Sequence, residues 1–387
     1  MSTASAWSVA LNGIEGAMVE VEVAEGGGLP RTVLVGLPDA ALSQAKERVR
    51  AAVTGAELPW PNGLVTINLS PANLPKTGTH YDLAIATAAL AAIDKVPKEA
   101  ARNHVCLGEL GLDGRLRRVP GILPALLAAV RSGFDKVIVP ASQEVEASLV
   151  PGITVWAIGH LKDLVAVLNG EPPLGGWEPP ADEDVASRQR PPLDFREVRG
   201  HLEGRWVMEV AAAGRHHVFL HGAPGVGKTM LASRLTSILP SLDGEEAVEV
   251  SALHSLAGLD LSGGLLIDPP YADPHHSSSP ASIIGGGVRL VRPGSISLAH
   301  RGVLFLDEAP EFGTRVLDAL RTPLESGWVS IGRAAIQVRY PARFQLVLAA
   351  NPCPCGFHGV TGRECRCSPM AVRRYQERLS GPIMDRI

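Results

Sequence analysis

His221-Gly222-Ala223-Pro224-Gly225-Val226-Gly227-Lys228-Thr229 interrupts two apolar segments of this 387-residue chain. Residues 217–220 before it read as a buried parallel strand, and residues 230–239 after it, from Met230 on, read as a helix. Strand, glycine-rich turn, Gly-Lys-Thr and helix is the context of a phosphate-binding P-loop. Gly222, Gly225 and Gly227 free the backbone to aim successive N–H groups at phosphate oxygens, and the helix start adds partial positive charge. Lys228 supplies a mobile cation for the outer phosphates, and the Thr229 hydroxyl suits Mg²⁺. The run 222–230, with Ala223, Pro224, Val226 and Met230 among its members, is therefore expected to cradle ATP and Mg²⁺.

A second motif stands downstream. Val303-Leu304-Phe305-Leu306 reads as a buried strand that ends in Asp307-Glu308, a Walker B pattern. Asp307 is placed to hold Mg²⁺, directly or through water, and Glu308 to polarise the attacking water as general base. The alternative for the two carboxylates is capping of the next helix. Residues 345–350 form another apolar strand, which ends at Asn351-Pro352. This half of the chain is expected to be α/β, with a parallel central sheet.

Composition sets bounds. The length suits two domains rather than one core. A net charge of −4 gives no global basic footprint, so nucleic-acid contact has to come from a local patch or an assembled ring. The N-terminus lacks the basic and apolar regions of a signal peptide, and no apolar run is long enough to span a bilayer, so no membrane role is expected. Five cysteines, four of them clustered, do not form a secreted disulfide framework. The expected compartment is the cytoplasm.

Residues 1–170 read as an α+β domain, with strands over 17–23, 32–35, 65–69, 105–110, 116–119 and 137–139 and helices over 41–55, 81–92 and 121–132. Arg48 and Arg50 fall on the polar side of the first helix. Residues 171–192, rich in proline and acidic side chains, read as an exposed linker. The second domain is expected over 193–387. In it, 328–344 reads as a hairpin turning at Gly332-Arg333-Ala334. Cys353-Pro-Cys355 and Cys365-Arg-Cys367 pair four thiols across a short loop, which suits a structural tetrahedral Zn²⁺; two disulfides or free thiols are the alternative. Cys106 reads as core packing. Adjacent His275 and His276 point apart in a strand, so a structural or nucleic-acid contact is expected of them rather than chelation.

The order of motifs resembles the YifB/ComM family of magnesium-chelatase-like AAA+ ATPases. The likeness runs through Val35-Gly36-Leu37-Pro38-Asp39, Lys46-Glu47-Arg48-Val49-Arg50, Lys76-Thr77-Gly78, Gly108-Glu109-Leu110-Gly111, the P-loop, Asp307-Glu308, Asn351-Pro-Cys-Pro-Cys-Gly and Ser380-Gly-Pro-Ile-Met-Asp-Arg-Ile387. It implies an N-terminal domain similar to the Lon proteolytic domain (ribosomal S5 domain 2-like), followed by an AAA+ domain. His80 and Leu123 stand where the Lon serine and lysine would be, so a non-proteolytic domain is implied. The segment before residue 202 is implied to enclose the adenine, with His201 where the family more often has glutamine. Asn351 is implied to be the sensor that orients the lytic water or reads the γ-phosphate, its alternative being a plain strand terminator, and Arg386 to reach a neighbouring subunit's site, its alternative being a surface ion pair. Residues 253–301 resemble the family's helix-2 insert, with Ala272 and Ser295 as departures. The hairpin resembles the pre-sensor hairpin, whose Arg333, Arg339 and Arg343 would face a phosphate backbone in a ring's pore. The resemblance thus implies a cytoplasmic, hexameric ATPase that moves on DNA and drives branch migration in recombination or transformation. The alternatives are a chelatase-type motor that remodels a protein, and a nucleotide-gated scaffold, against which Glu308 argues. The sequence ends without a helical lid after Arg386, so nucleotide binding is expected to exceed hydrolysis.

Overall fold

The computed structural model describes residues 2–36, 40–175, 193–287, 291–333, 336–379 and 381–387. Leu37, Pro38 and Asp39, linker residues 176–192, Arg289, Ala334 and Ser380 lie outside them, as does the side chain of Arg333. The described residues fall into two compact units, 2–175 with 254–265, and 193–253 with 266–287 and 291–387. No helix among them is long and apolar enough to cross a membrane.

The first unit begins with a hairpin that period-2 patterning alone did not reveal. Strands β1 (Ser2–Asn12) and β2 (Glu15–Gly26) pair antiparallel around Gly13, whose φ of 66° suits the tight two-residue turn. With β3 (Arg31–Val35), β4 (Leu64–Ser70), β5 (Val105–Cys106), β8 (Lys136–Pro140) and β9 (Thr154–Ile158) they form a seven-stranded sheet ordered β3-β4-β2-β1-β5-β8-β9. Short strands β6 (Glu109–Leu110) and β7 (Leu116–Arg117) pair separately, so the expected single strand over 105–110 is two. The helix Asp82–Ala92 is alanine-rich and buried at every position, which lets it lie close against β1 and β2. The expected helix over 41–55 breaks at Gln44 into Ala40–Ser43 and Ala45–Gly55.

Arg48 departs from its expected solvated role. Its Nε and Nη2 donate to the fully buried Asp82 at 2.5 and 2.7 Å, and Leu110 N donates to the same carboxylate at 3.2 Å. Burial pushes Asp82 up to about 6 against the pull of Arg48. Helix periodicity cannot see a partner 34 residues away. Segment 254–265 is seated in this unit by polar contacts: Ser255 Oγ donates to Glu146 at 2.5 Å, Gly121 N donates to Ser255 O at 3.0 Å, and Arg118 pairs with Asp260 at 3.2 Å.

The second unit is built on a four-stranded parallel sheet ordered β10-β17-β14-β11. Its strands are β10 (Val218–His221), β11 (Tyr271–Ala272), β14 (Val303–Leu306) and β17 (Gln345–Ala350). β14 and β17 are buried throughout, as apolar runs covered on both faces must be. One face packs on Met208, Ala211, Leu231 and Leu235, and the other on Ile283, Phe312, Leu317 and Ile383. β11 lies inside the region expected as an insertion over 253–301, so that region supplies an edge strand of the central sheet besides 254–265 of the first unit. Two small ladders complete the unit: β12 (Gly285–Gly286) with β13 (Arg292–Pro293), and β15 (Trp328–Arg333) with β16 (Ile336–Pro341). The second is the expected hairpin, with its ladder running up to Arg333 and Ile336.

Arg48→Ala strands the buried Asp82 carboxylate without its cation. It is expected to lower the unfolding free energy by about 3 kcal/mol, read in urea denaturation. Arg50→Ala, on an exposed position, is expected to change it by less than about 0.5 kcal/mol.

Candidate nucleotide site

The parallel register aligns three strand ends on one edge of the sheet. His221 is level with Ala350, and Leu306 with Leu348. The residues that follow β10, β14 and β17 therefore emerge together at the carboxyl ends of the strands, where ligands of open α/β sheets bind. The P-loop is hooked to the central strand by Gly222 N, which donates to Ala350 O at 3.2 Å. Gly225 and Gly227 take φ of 80° and 93°, conformations that a side chain would strain. Gly227 caps the helix Lys228–Arg234.

Lys228 and Thr229 bring the motifs into contact. Lys228 Nζ donates to Gly222 O at 2.7 Å, to Ala223 O at 3.0 Å and to Asn351 Oδ1 at 3.0 Å. Burial lowers the Lys228 ammonium below its usual range, opposed by Asp307 and Glu308. Thr229 Oγ1 donates to Asp307 Oδ2 at 2.7 Å, so the two oxygens suited to Mg²⁺ already touch. Glu308 N donates to Asp307 Oδ1 at 2.9 Å and fixes that carboxylate's rotation. Glu308 itself has φ 49°, uncommon outside glycine, and its side chain is 48% exposed, open to water. The arrangement gathers a cation, a hydroxyl–carboxylate pair of the kind that suits Mg²⁺, an exposed carboxylate and a side-chain amide, a set compatible with phosphoryl transfer to water.

Two histidines named in the sequence make contacts at this site that the sequence did not indicate. His276 Nδ1 lies 3.3 Å from Glu308 Oε2, and its ring meets Phe312 edge-on. His275 instead bonds Ser277 Oγ at 2.7 Å. His201, at φ 48°, sets its ring beside the loop: a methyl group at Gly227 would lie 3.2 Å from its Nε2. Neither contact has a local signature, because each bridges segments far apart in sequence.

The other expected residues stand apart from this cluster. Arg386 pairs with Glu325 and donates to the Pro382 carbonyl. Arg339 is exposed on β16, its guanidinium 5.4 Å from the centre of the Trp328 ring. Arg343 is exposed at the hairpin base, where its backbone N donates to His300 Nδ1 at 2.9 Å. The four cysteines converge, with Sγ atoms all within 4.8 Å of one another. Backbone N–H groups of Phe357 and Arg366, and then Cys353, hold the Cys355 thiol down to about 6.

A family model described as magnesium chelatase, subunit ChlI, matches residues 194–387, and one described as subunit ChlI of Mg-chelatase matches residues 19–143. An uncharacterized protein of Mycobacterium tuberculosis is 51% identical over all of this chain and 76% of its own length. The uncharacterized protein YifB of Escherichia coli is 43% identical over 97% of this chain and 72% of its own length. Competence protein ComM of Haemophilus influenzae is 42% identical over all of this chain and 75% of its own length. The chain belongs to the magnesium-chelatase ChlI-type family, in the group that holds YifB and ComM.

His276→Ala removes the side chain that engages Glu308 from β11's loop. It is expected to raise kcat about threefold while the Kd for ATP stays the same, measured by steady-state turnover and by equilibrium binding.

Proposed function

We propose that this ChlI-type chain is an ATP-hydrolysing motor that works as a hexameric ring on DNA, in recombination or the uptake and processing of transforming DNA. The observation that carries the ATPase reading is the contact of Thr229 with Asp307 beside that of Lys228 with Asn351, on one sheet edge. The P-loop amides and Lys228 bind the phosphates. Thr229 and Asp307 would hold Mg²⁺, which when bound would supply neutralisation of phosphate charge. Glu308 takes a proton from the attacking water, and Asn351, bonded to Lys228, registers the γ-phosphate. Arg386 exchanges its bond with Glu325 for the phosphates of a neighbouring subunit.

DNA as the track is supported by the exposed Arg339 and Arg343 on and below the hairpin of β15 and β16, with Arg333 at its turn in the sequence. The word competence in the name of one relative points the same way. The second reading, a chelatase-type motor that remodels a protein partner, draws on the family description itself. We read residues 1–170 as a Lon-protease-like domain without proteolytic chemistry and 193–387 as the AAA+ domain, joined by 171–192. In the first, His80 Nε2 is engaged by Val9 O at 2.7 Å, Leu123 is buried, and buried Lys76 donates to Pro71 O. The expected setting is the cytoplasm.

ATP turnover with and without four-way-junction DNA tests the reading. Glu308→Gln is expected to keep ATP binding and lose about 10²–10⁴-fold in kcat. DNA is expected to stimulate the parent chain, and Arg333→Ala with Arg339→Ala to blunt that stimulation. Turnover indifferent to every DNA in an assembled ring would favour the protein-remodelling motor.

A further inference from the structure

The loop after β17 gathers four thiols directly behind the nucleotide site. Cys353 Sγ lies 3.3 Å from Cys355 Sγ and 3.7 Å from Cys365 Sγ, and Cys355 and Cys365 are 3.6 Å apart. Cys367 completes the set, with all four Sγ atoms within 4.8 Å. None is in a disulfide. A tetrahedral ion with metal–sulfur bonds of about 2.3 Å needs sulfur–sulfur edges of about 3.8 Å, close to the spacing found. The backbone N of His358 donates to Cys353 Sγ at 3.3 Å, the kind of outer contact that steadies a thiolate ligand. Four soft donors with this geometry select Zn²⁺ over the hard cations that suit carboxylates.

The same loop touches the P-loop twice. Asn351, whose Oδ1 accepts from Lys228 Nζ at 3.0 Å, stands two residues before Cys353. Gly356, one residue after Cys355, takes φ 86° and lies against the ring of Pro224: a methyl group there would fall 2.6 Å from both Cγ and Cδ of that proline. Gly356 N closes the turn by donating to Cys353 O at 2.9 Å, and Gln376 Nε2 holds Pro352 O at 3.2 Å. The position of the loop thus fixes both the turn of the P-loop at Pro224 and the amide that meets its lysine.

We propose that Cys353, Cys355, Cys365 and Cys367 bind one Zn²⁺, and that this ion, through Gly356 against Pro224 and through Asn351, holds the P-loop in its nucleotide-binding shape. The coupling rests on reading the P-loop as an ATP site; the metal site does not. Zinc occupancy therefore sets nucleotide affinity.

The test uses the full chain. Elemental analysis is expected to give one zinc per chain, and Co²⁺ added to the chelated, reduced protein is expected to give the visible absorption of a tetrahedral thiolate site. Stripping zinc with a chelator, or Cys365→Ser with Cys367→Ser, is expected to weaken binding of a fluorescent ATP analogue about tenfold, with ZnCl₂ restoring the stripped parent chain. Gly356→Ala, which leaves every thiol in place, is expected to keep zinc and still weaken binding, so the coupling stays testable if the cysteine variants misfold. Protein that neither carries zinc nor takes up Zn²⁺ or Co²⁺ overturns the metal site. Unchanged nucleotide affinity after zinc removal, or in zinc-loaded Gly356→Ala, overturns the coupling. Zinc-loaded parent chain whose binding of the analogue matches that of Lys228→Ala overturns the ATP reading and the coupling with it, and the metal count then judges the cluster alone.

Discussion

The register of three parallel strands is the constraint from which the second unit's chemistry follows. β14 and β17 are buried on both faces and carry only apolar side chains from Val303 to Leu306 and from Leu346 to Ala350, so the polar groups that follow them are concentrated at the point of exit. Because His221, Leu306 and Ala350 end near one level, the glycine loop, Asp307-Glu308 and Asn351 share a few ångströms of space. Shift β14 by one residue against β17, and Asp307 leaves Thr229 while Leu306 turns from one face of the sheet to the other. The apolar core therefore enforces the polar geometry: a register error would cost burial before it cost catalysis. That is why a few contacts of 2.7–3.0 Å among four side chains and two carbonyls can be held without a large polar network.

The first unit depends on a different device. Its central helix Asp82–Ala92 is buried on every side and carries one carboxylate, Asp82, into the core. A lone buried charge is untenable, so the fold brings Arg48 and the Leu110 amide to it, tying together the helix Ala45–Gly55, the central helix and β6. The pair locks a specific arrangement of elements that alanine surfaces, being smooth and interchangeable, would define poorly. Apolar packing and this buried ion pair divide the labour: one supplies the stabilisation, the other the uniqueness.

What was legible in the chain follows from range. Val303–Leu306 and Gln345–Ala350 were readable to the residue, because continuous apolar runs bounded by polar tips have a local signal. The P-loop was readable because its glycines, lysine and threonine are neighbours in sequence. The opening strand β1 was missed although Asn12-Gly13 is a hairpin signal, since its small polar residues blur the alternation. His276 beside Glu308, His201 beside Gly227 and Arg48 on Asp82 were not legible, because each joins segments 26 to 34 residues apart and only the packed fold selects them. The division of residues 253–301 between an edge strand and a segment of the first unit was equally hidden: two residues of strand are too few to show a period.

The brevity of that edge strand has a consequence of its own. β11 pairs with β14 at Tyr271 and Ala272, beside one further bond from Val303 N to Pro270 O at 2.8 Å, and the chain reaches His276 soon after. Such a short ladder opens at a small fraction of the free energy that would dissolve the sheet, so its amides should exchange with solvent long before those of β14 or β17. This two-residue strand thus leads into the side chain that contacts the exposed carboxylate of Glu308. A local unzipping there would alter the surroundings of Glu308 while leaving Asp307, Thr229 and Lys228 in register, so the environment of one carboxylate can change while the contacts around the loop after β10 hold.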